Sequence, residues 1–272
     1  MKRLYADLGL LLVALIWGIT FPVVKVAVES VSPFTFNAVR FFIACILFLP
    51  FVRLEGFGEG FKIGVATFLG YSFQTVGLQY TTATNAGFIT SLYVVLAPII
   101  AFVLYGVRMR GVDVLSTFLA LTGLFLLTRY EGFNIGDLLM LACAFAFVLE
   151  IAMISHYSRE TDPTQLAFWQ IFAVAVLSTP FALITDRFVL NEDVVVALII
   201  TAVLATFVAK LMQNHLQRWT KPTDASVIMS MEGVFSHVFS VFMLGESLTF
   251  LQYVGAGLIV IAVVLISAAA EL

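Results

Sequence analysis

The chain has 272 residues, of which 61% are hydrophobic and only 11% charged, with 27 phenylalanines. Globular domains run at about 25% charged residues, so this composition excludes a water-soluble fold and points to an integral membrane protein. The net charge of −3, with no basic cluster, gives no sign of nucleic-acid binding, and none is expected.

About 20 mostly apolar residues cross a membrane as a helix. On that rule ten spans are predicted, at 7–29, 33–53, 61–80, 83–105, 111–129, 136–157, 163–184, 193–217, 222–244 and 246–269. The N-terminal stretch has basic residues before its apolar run, as a signal peptide does. The run exceeds the roughly 7–15 residues of a signal core and no A-x-A site follows, so it is read as a retained first helix. Connections are short and marked by Pro33, Gly56, Gly58, Gly111, Pro163 and Pro222. No linker or soluble domain is expected, which places function between the helices. Cys45 and Cys143 lie in apolar runs with no metal or redox spacing and read as small buried hydrophobes. No cofactor or metal is expected.

Basic residues set the orientation. Lys2, Arg3, Arg53, Lys62, Arg108, Arg110, Arg159, Arg218 and Lys221 fall on one side, against Arg129 and Arg187 on the other. Both termini are therefore expected in the cytoplasm, with the chain a multi-pass protein of the inner membrane.

The two halves resemble each other. SPFTFNAVRFFIACILFLPF (32–51) lines up with DPTQLAFWQIFAVAVLSTPF (162–181), so that Pro33, Pro50 and Phe51 meet Pro163, Pro180 and Phe181 at an offset of 163 − 33 = 130. LQYTTATNAGFITSL (78–92) matches LQRWTKPTDASVIMSM (216–231) with one inserted residue, and Tyr93 then aligns with Glu232. Five spans per half is odd, so the second half must enter the membrane from the opposite side. The expected fold is all-α, ten transmembrane helices as an inverted 5+5 repeat, with residues 1–131 as the first unit and 132–272 as the second. Inverted repeats are the usual plan of secondary transporters, with the site at the repeat interface near the midplane.

WGITFPVVK (17–25), VRFFIA (39–44), LQYTTATNAGFITSLYVVLAP (78–98) and PTDASVIMSMEGVF…LGE (222–246), in that order, resemble the ten-helix EamA type of the drug/metabolite transporter superfamily. The resemblance implies export, or sometimes uptake, of small metabolites such as amino acids. It also implies a central cavity lined by spans 1, 3, 4, 6, 8 and 9, with spans 5 and 10 packed outside. The chain departs from the pattern at Gly233, where the family often has Pro, and in carrying Lys210 and His237.

Charges inside a span cost about 2.5–3.5 kcal/mol on insertion scales, so each should face protein or water. In span 8, Thr206, Lys210, Gln213, Asn214 and Gln217 recur on one helical face. Glu150 and Glu232 are the acids within apolar runs and lie at depths similar to Lys210. If the three converge, one carboxylate pairs with Lys210 and the other, desolvated, can hold a proton; Glu232 is the expected partner of Lys210. A static ion pair bracing the helices is the competing reading. Tyr71, Gln74, Tyr93 and Trp17 are placed with them on the substrate or proton path. His237 falls with Ser230, Gly233 and Ser240 on a small-residue stripe and is expected against a neighbouring helix. Lys25 and Arg40, near outer helix ends, are expected to snorkel or to pair with Glu29, in a structural or gating role. Pro22 and Pro98 are expected to free carbonyls and allow bending. The expected function is secondary transport of a small amphipathic metabolite, with export favoured and proton coupling open, by a monomer in the bilayer, and not enzymatic.

Overall fold

The computed structural model describes residues 2–97, 100, 110–128, 134–185, 188–220 and 222–270. Pro98, named above as a bending point, lies outside them, as do Arg108, Arg129, Arg187 and Lys221. Among the described residues the chain forms ten helices, and its extended structure is confined to one isolated bridge, Val31 to Phe188. They are α1 (Lys2–Ala27), α2 (Pro33–Phe48), α3 (Phe57–Gly77), α4 (Ala83–Ala97) and α5 (Gly111–Thr128). After these come α6 (Ile135–Tyr157), α7 (Pro163–Leu183), α8 (Glu192–Gln217), α9 in two parts (Pro222–Ser230 and Glu232–Leu244) and α10 (Phe250–Ala270). Six, namely α1, α2, α6, α7, α8 and α9, are long and apolar enough to cross a membrane, and α4, α5 and α10 contain shorter apolar stretches.

Local chemistry fixes the helix starts. Pro33 and Pro163 occupy first-turn positions, where a missing N–H costs nothing. Ser32 accepts from the Thr35 amide ahead of α2, and Asp162 accepts from Thr164 and Gln165 ahead of α7. Asn134 and Asp137 form a capping box at α6, while Thr82 and Asn191 cap α4 and α8. α10 begins at Phe250 rather than 246, because Gly245 leaves α9 at φ 65° and residues 245–249 run as a loop.

Three irregularities shape the interior. α4 turns at Ser91 and Leu92, where Leu92 N–H bonds back to Ile89 (3.1 Å), and α9 turns at Met231, bonded to Ile228 (3.3 Å). The middle of α8, Ile200–Val208, winds as a π-helix. By contrast, α1 passes through Pro22 unbroken.

α3 packs against α6 and α7, α2 against α7 and α8, and α1 against α8 and α9, while α4 lies on α9 and α6. α5 and α10 pair with each other at the flank. α4 and α9 come so close that a side chain at Gly87 would strike Ser236, and one at Gly233 would strike Ser91 and the Gly87 carbonyl. Ser91 Oγ donates to the Ser230 carbonyl (2.8 Å) and Ser236 Oγ to that of Ala83 (2.9 Å) across this seam.

Candidate functional site

Helices α1, α3, α4, α6, α8 and α9 surround an interior cavity to which α5 and α10 contribute nothing among the described residues. Trp17, Thr20 and Phe21 come from α1, Tyr71 and Gln74 from α3 and Tyr93 from α4. Phe147, Glu150 and Ile151 come from α6, Lys210 and Gln213 from α8, and Glu232 from α9. Its volume is about 380 Å³.

Lys210 Nζ lies 2.5 Å from Glu150 Oε1 and donates to Gln213 Oε1 at 3.1 Å. Gln170 of α7 donates to the same Glu150 oxygen (2.5 Å) and to Thr67 Oγ1 (2.9 Å), and accepts from Asn214 (3.0 Å). Thus α3, α6, α7 and α8 are tied by one buried polar chain. Two of its amides each keep one buried atom unbonded, Gln213 Nε2 and Asn214 Oδ1. The ammonium also sits 4.5 Å from the centroid of the Trp17 ring, with the Tyr71 and Phe147 rings at 5.5 and 5.6 Å. Trp17 is itself anchored by its indole N–H to the Ala205 carbonyl, 3.0 Å away in the π segment of α8.

The pairing differs from the sequence expectation in one respect: Lys210 takes Glu150, not Glu232. Glu150 is within reach because α6 lies against α8, whereas Glu232 starts the second half of α9 across the cavity. Glu232 is buried and has no ion pair among the described residues. The Tyr93 hydroxyl is an electrostatic neighbour of Glu232 yet makes no hydrogen bond of normal geometry, and Gln213 Nε2 is likewise buried without one. Buried polar atoms are rarely left so unless water or a ligand meets them.

The remaining candidates separate by location. Arg40 does not snorkel: it is 1% exposed, its Nε donates to Thr206 Oγ1 (2.7 Å), and its guanidinium carbon stands 4.6 Å from the Tyr71 ring centroid. Seven residues into α2 its head is far enough inside to turn toward α3 and α8. Lys25 donates to the carbonyls of Leu78 and Thr81, both at 2.8 Å, and so caps the end of α3. His237 is half-buried against α4 and α10, near Thr84 Oγ1 (3.3 Å) and Tyr253 OH (3.4 Å). Sequence reasoning missed Gln170, although an amide amid the apolar residues of α7 is itself a signal of buried bonding.

The EamA-like transporter family matches the chain twice, at residues 4–129 and 134–268. An uncharacterized transporter of Archaeoglobus fulgidus is 62% identical over 267 residues, covering 98% of this chain and 87% of that protein. The uncharacterized transporter YoaV of Bacillus subtilis is 23% identical over 195 residues, 66% of this chain and 67% of its own. A solved crystal structure superposes with a TM-score of 0.73 over 98% of both chains at 17% identity, a likeness of fold. Matched in both halves and closely related to a transporter along almost its whole length, the chain belongs to the EamA-like transporter family of the drug/metabolite transporter superfamily.

Proposed function

We propose that the protein is a secondary transporter that moves a small amphipathic metabolite, an amino acid or similar solute, across the inner membrane by alternating access, with export as the favoured direction. The observation that carries this reading is the charge layout of the central cavity. Lys210 and Glu150 neutralise each other, while Glu232 faces the same aromatic-lined space without a counter-ion among the described residues. A lone intramembrane carboxylate can hold a proton or a cationic head group, one at a time, which is the exchange that a proton-coupled carrier needs.

The inverted 5+5 plan, 1–131 against 132–272, is part of the proposal. It is supported by the helix pairing: exchanging α1–α5 with α6–α10 turns α1·α8 into α6·α3, α2·α8 into α7·α3 and α1·α9 into α6·α4, all of which occur. The breaks just before Tyr93 and just before Glu232 fall at equivalent points, and discontinuous helices at the midplane are common at transporter sites. Cytoplasmic termini follow from the basic-residue bias, and a monomer suffices because the cavity is complete within one chain.

The test is counterflow of a radiolabelled amino-acid mixture in proteoliposomes, comparing wild type with Glu232→Gln. Flux should fall at least about tenfold in the variant, with its melting curve retained. Undiminished flux overturns the role of Glu232. Wild-type flux indifferent to an imposed pH gradient identifies an uncoupled facilitator instead.

A further inference from the structure

Arg40 is a second buried charge near the cavity without a counter-ion among the described residues. Among the described residues no carboxylate lies within 4.0 Å of it, and its hydrogen bond of normal geometry is the one from Nε to Thr206. A guanidinium has five N–H donors in a planar fork, of which the bond to Thr206 uses the one on Nε. Its neighbours are the Phe41 ring, 5.2 Å from the guanidinium carbon, and Tyr71, whose ring and phenol oxygen flank it. Burying a charge without a partner costs several kcal/mol after relaxation, and a helix brace needs no such group.

Its position relative to the cavity gives the charge a use. Tyr71 lines the cavity, and its ring is shared: Arg40 lies 4.6 Å from the centroid and Lys210 Nζ 5.5 Å. Thr206, which holds Arg40, is four residues from Lys210 and so one turn away on α8. Asn37, one turn before Arg40, donates to the Tyr71 carbonyl at 3.2 Å and fixes the backbone behind the ring. Arg40 therefore stands against Tyr71, a side chain of the cavity wall. Of the charges that line the cavity, Lys210 and Glu150 are spent on each other. What remains there is an acid, Glu232, with the Arg40 guanidinium against the Tyr71 ring.

We propose that Arg40 is a carboxylate-binding subsite, the anion-recognising half of a zwitterion site whose ammonium-recognising half is Glu232, with Tyr71 as the movable wall between cavity and guanidinium. The planar fork suits a bidentate carboxylate better than an ammonium would. The proposal rests on the transporter reading above and narrows its solute to one carrying both an ammonium and a carboxylate.

Three probes sharing one ring test it, since Trp17, Tyr71, Tyr93 and Phe147 line the space: phenylalanine, phenethylamine and phenylpropionate. Binding to the purified full chain in nanodiscs is measured by calorimetry for wild type, Arg40→Gln, Arg40→Lys and Glu232→Gln. In Arg40→Gln, phenylpropionate and phenylalanine should weaken at least about tenfold while phenethylamine stays within about twofold. Should Arg40→Gln fail to fold, Arg40→Lys carries the test: it keeps the charge, loses the fork and should show the same ordering to a smaller degree. Equal weakening of all three probes, or none, overturns the subsite and leaves Arg40 structural. Wild type binding phenethylamine through Glu232 but not phenylpropionate sinks the Arg40 proposal alone. Wild type binding none of the three sinks the amphipathic-solute reading with it.

Discussion

Lys210 and Glu150 meet at 2.5 Å with side chains 1% and 2% exposed, sixty residues apart in sequence and on different helices. Glu150 also takes a hydrogen bond from Gln170, so the carboxylate is the junction of α6, α7 and α8. A pair this deep draws its worth from not being broken, because an orphaned partner has no water to turn to.

Glu150→Gln should therefore destabilise the protein by about 3–5 kcal/mol, the cost of leaving Lys210 buried and unpaired. Glu150→Gln combined with Lys210→Met should recover most of that loss, since apolar replacement of a whole buried pair is often neutral or better. Thermal unfolding in detergent, followed by intrinsic fluorescence, reads both. A double variant as unstable as the single one rejects the account.

This pair also marks how far the sequence could be read. Ten apolar stretches, the prolines Pro33 and Pro163 at helix starts, and the polar face of α8 were legible because each is a local pattern. Which acid Lys210 chooses was not, since Glu150 and Glu232 look alike in depth and only the packing of α6 on α8 decides between them. Arg40 was misread for a similar reason. Counting residues from a helix end predicts snorkelling, but the side chain turns inward because Thr206 and the Tyr71 ring offer a bond and a π face. The π segment of α8 left no mark at all: Ile200–Val208 reads as an ordinary apolar helix.

Gly87 gives a prediction about the α4–α9 seam. A Cβ there runs into Ser236, and the backbone of Gly233 stands just behind. Gly87→Val should cost about 1–3 kcal/mol through overpacking. Gly257 in α10 has open space around it, so Gly257→Ala should stay within about 0.5 kcal/mol of wild type or gain slightly from helix propensity. Melting temperatures of the two variants in one detergent compare them, and equal shifts would mean that the seam is looser than its geometry.

The last prediction concerns Glu246, from the LGE stretch after α9. Its two carboxylate oxygens accept separately from the amides of Ala83 and Thr84, each at 2.9 Å, so one residue from the α9–α10 loop caps the start of α4. Those amides are among the first N–H groups of a helix, which have no partner within it, and the positive end of the helix dipole favours an anion there. Glu246→Ala should cost about 1–2 kcal/mol, in the range of other lost N-caps. Glu246→Gln keeps one accepting oxygen and should recover part of the loss. Hydrogen exchange at Ala83 and Thr84 separates local uncapping from general destabilisation. Under uncapping these amides exchange faster in Glu246→Ala while the centre of α6 keeps its protection. Uniform loss of protection would show that the carboxylate braces the α9–α10 loop instead of the end of α4.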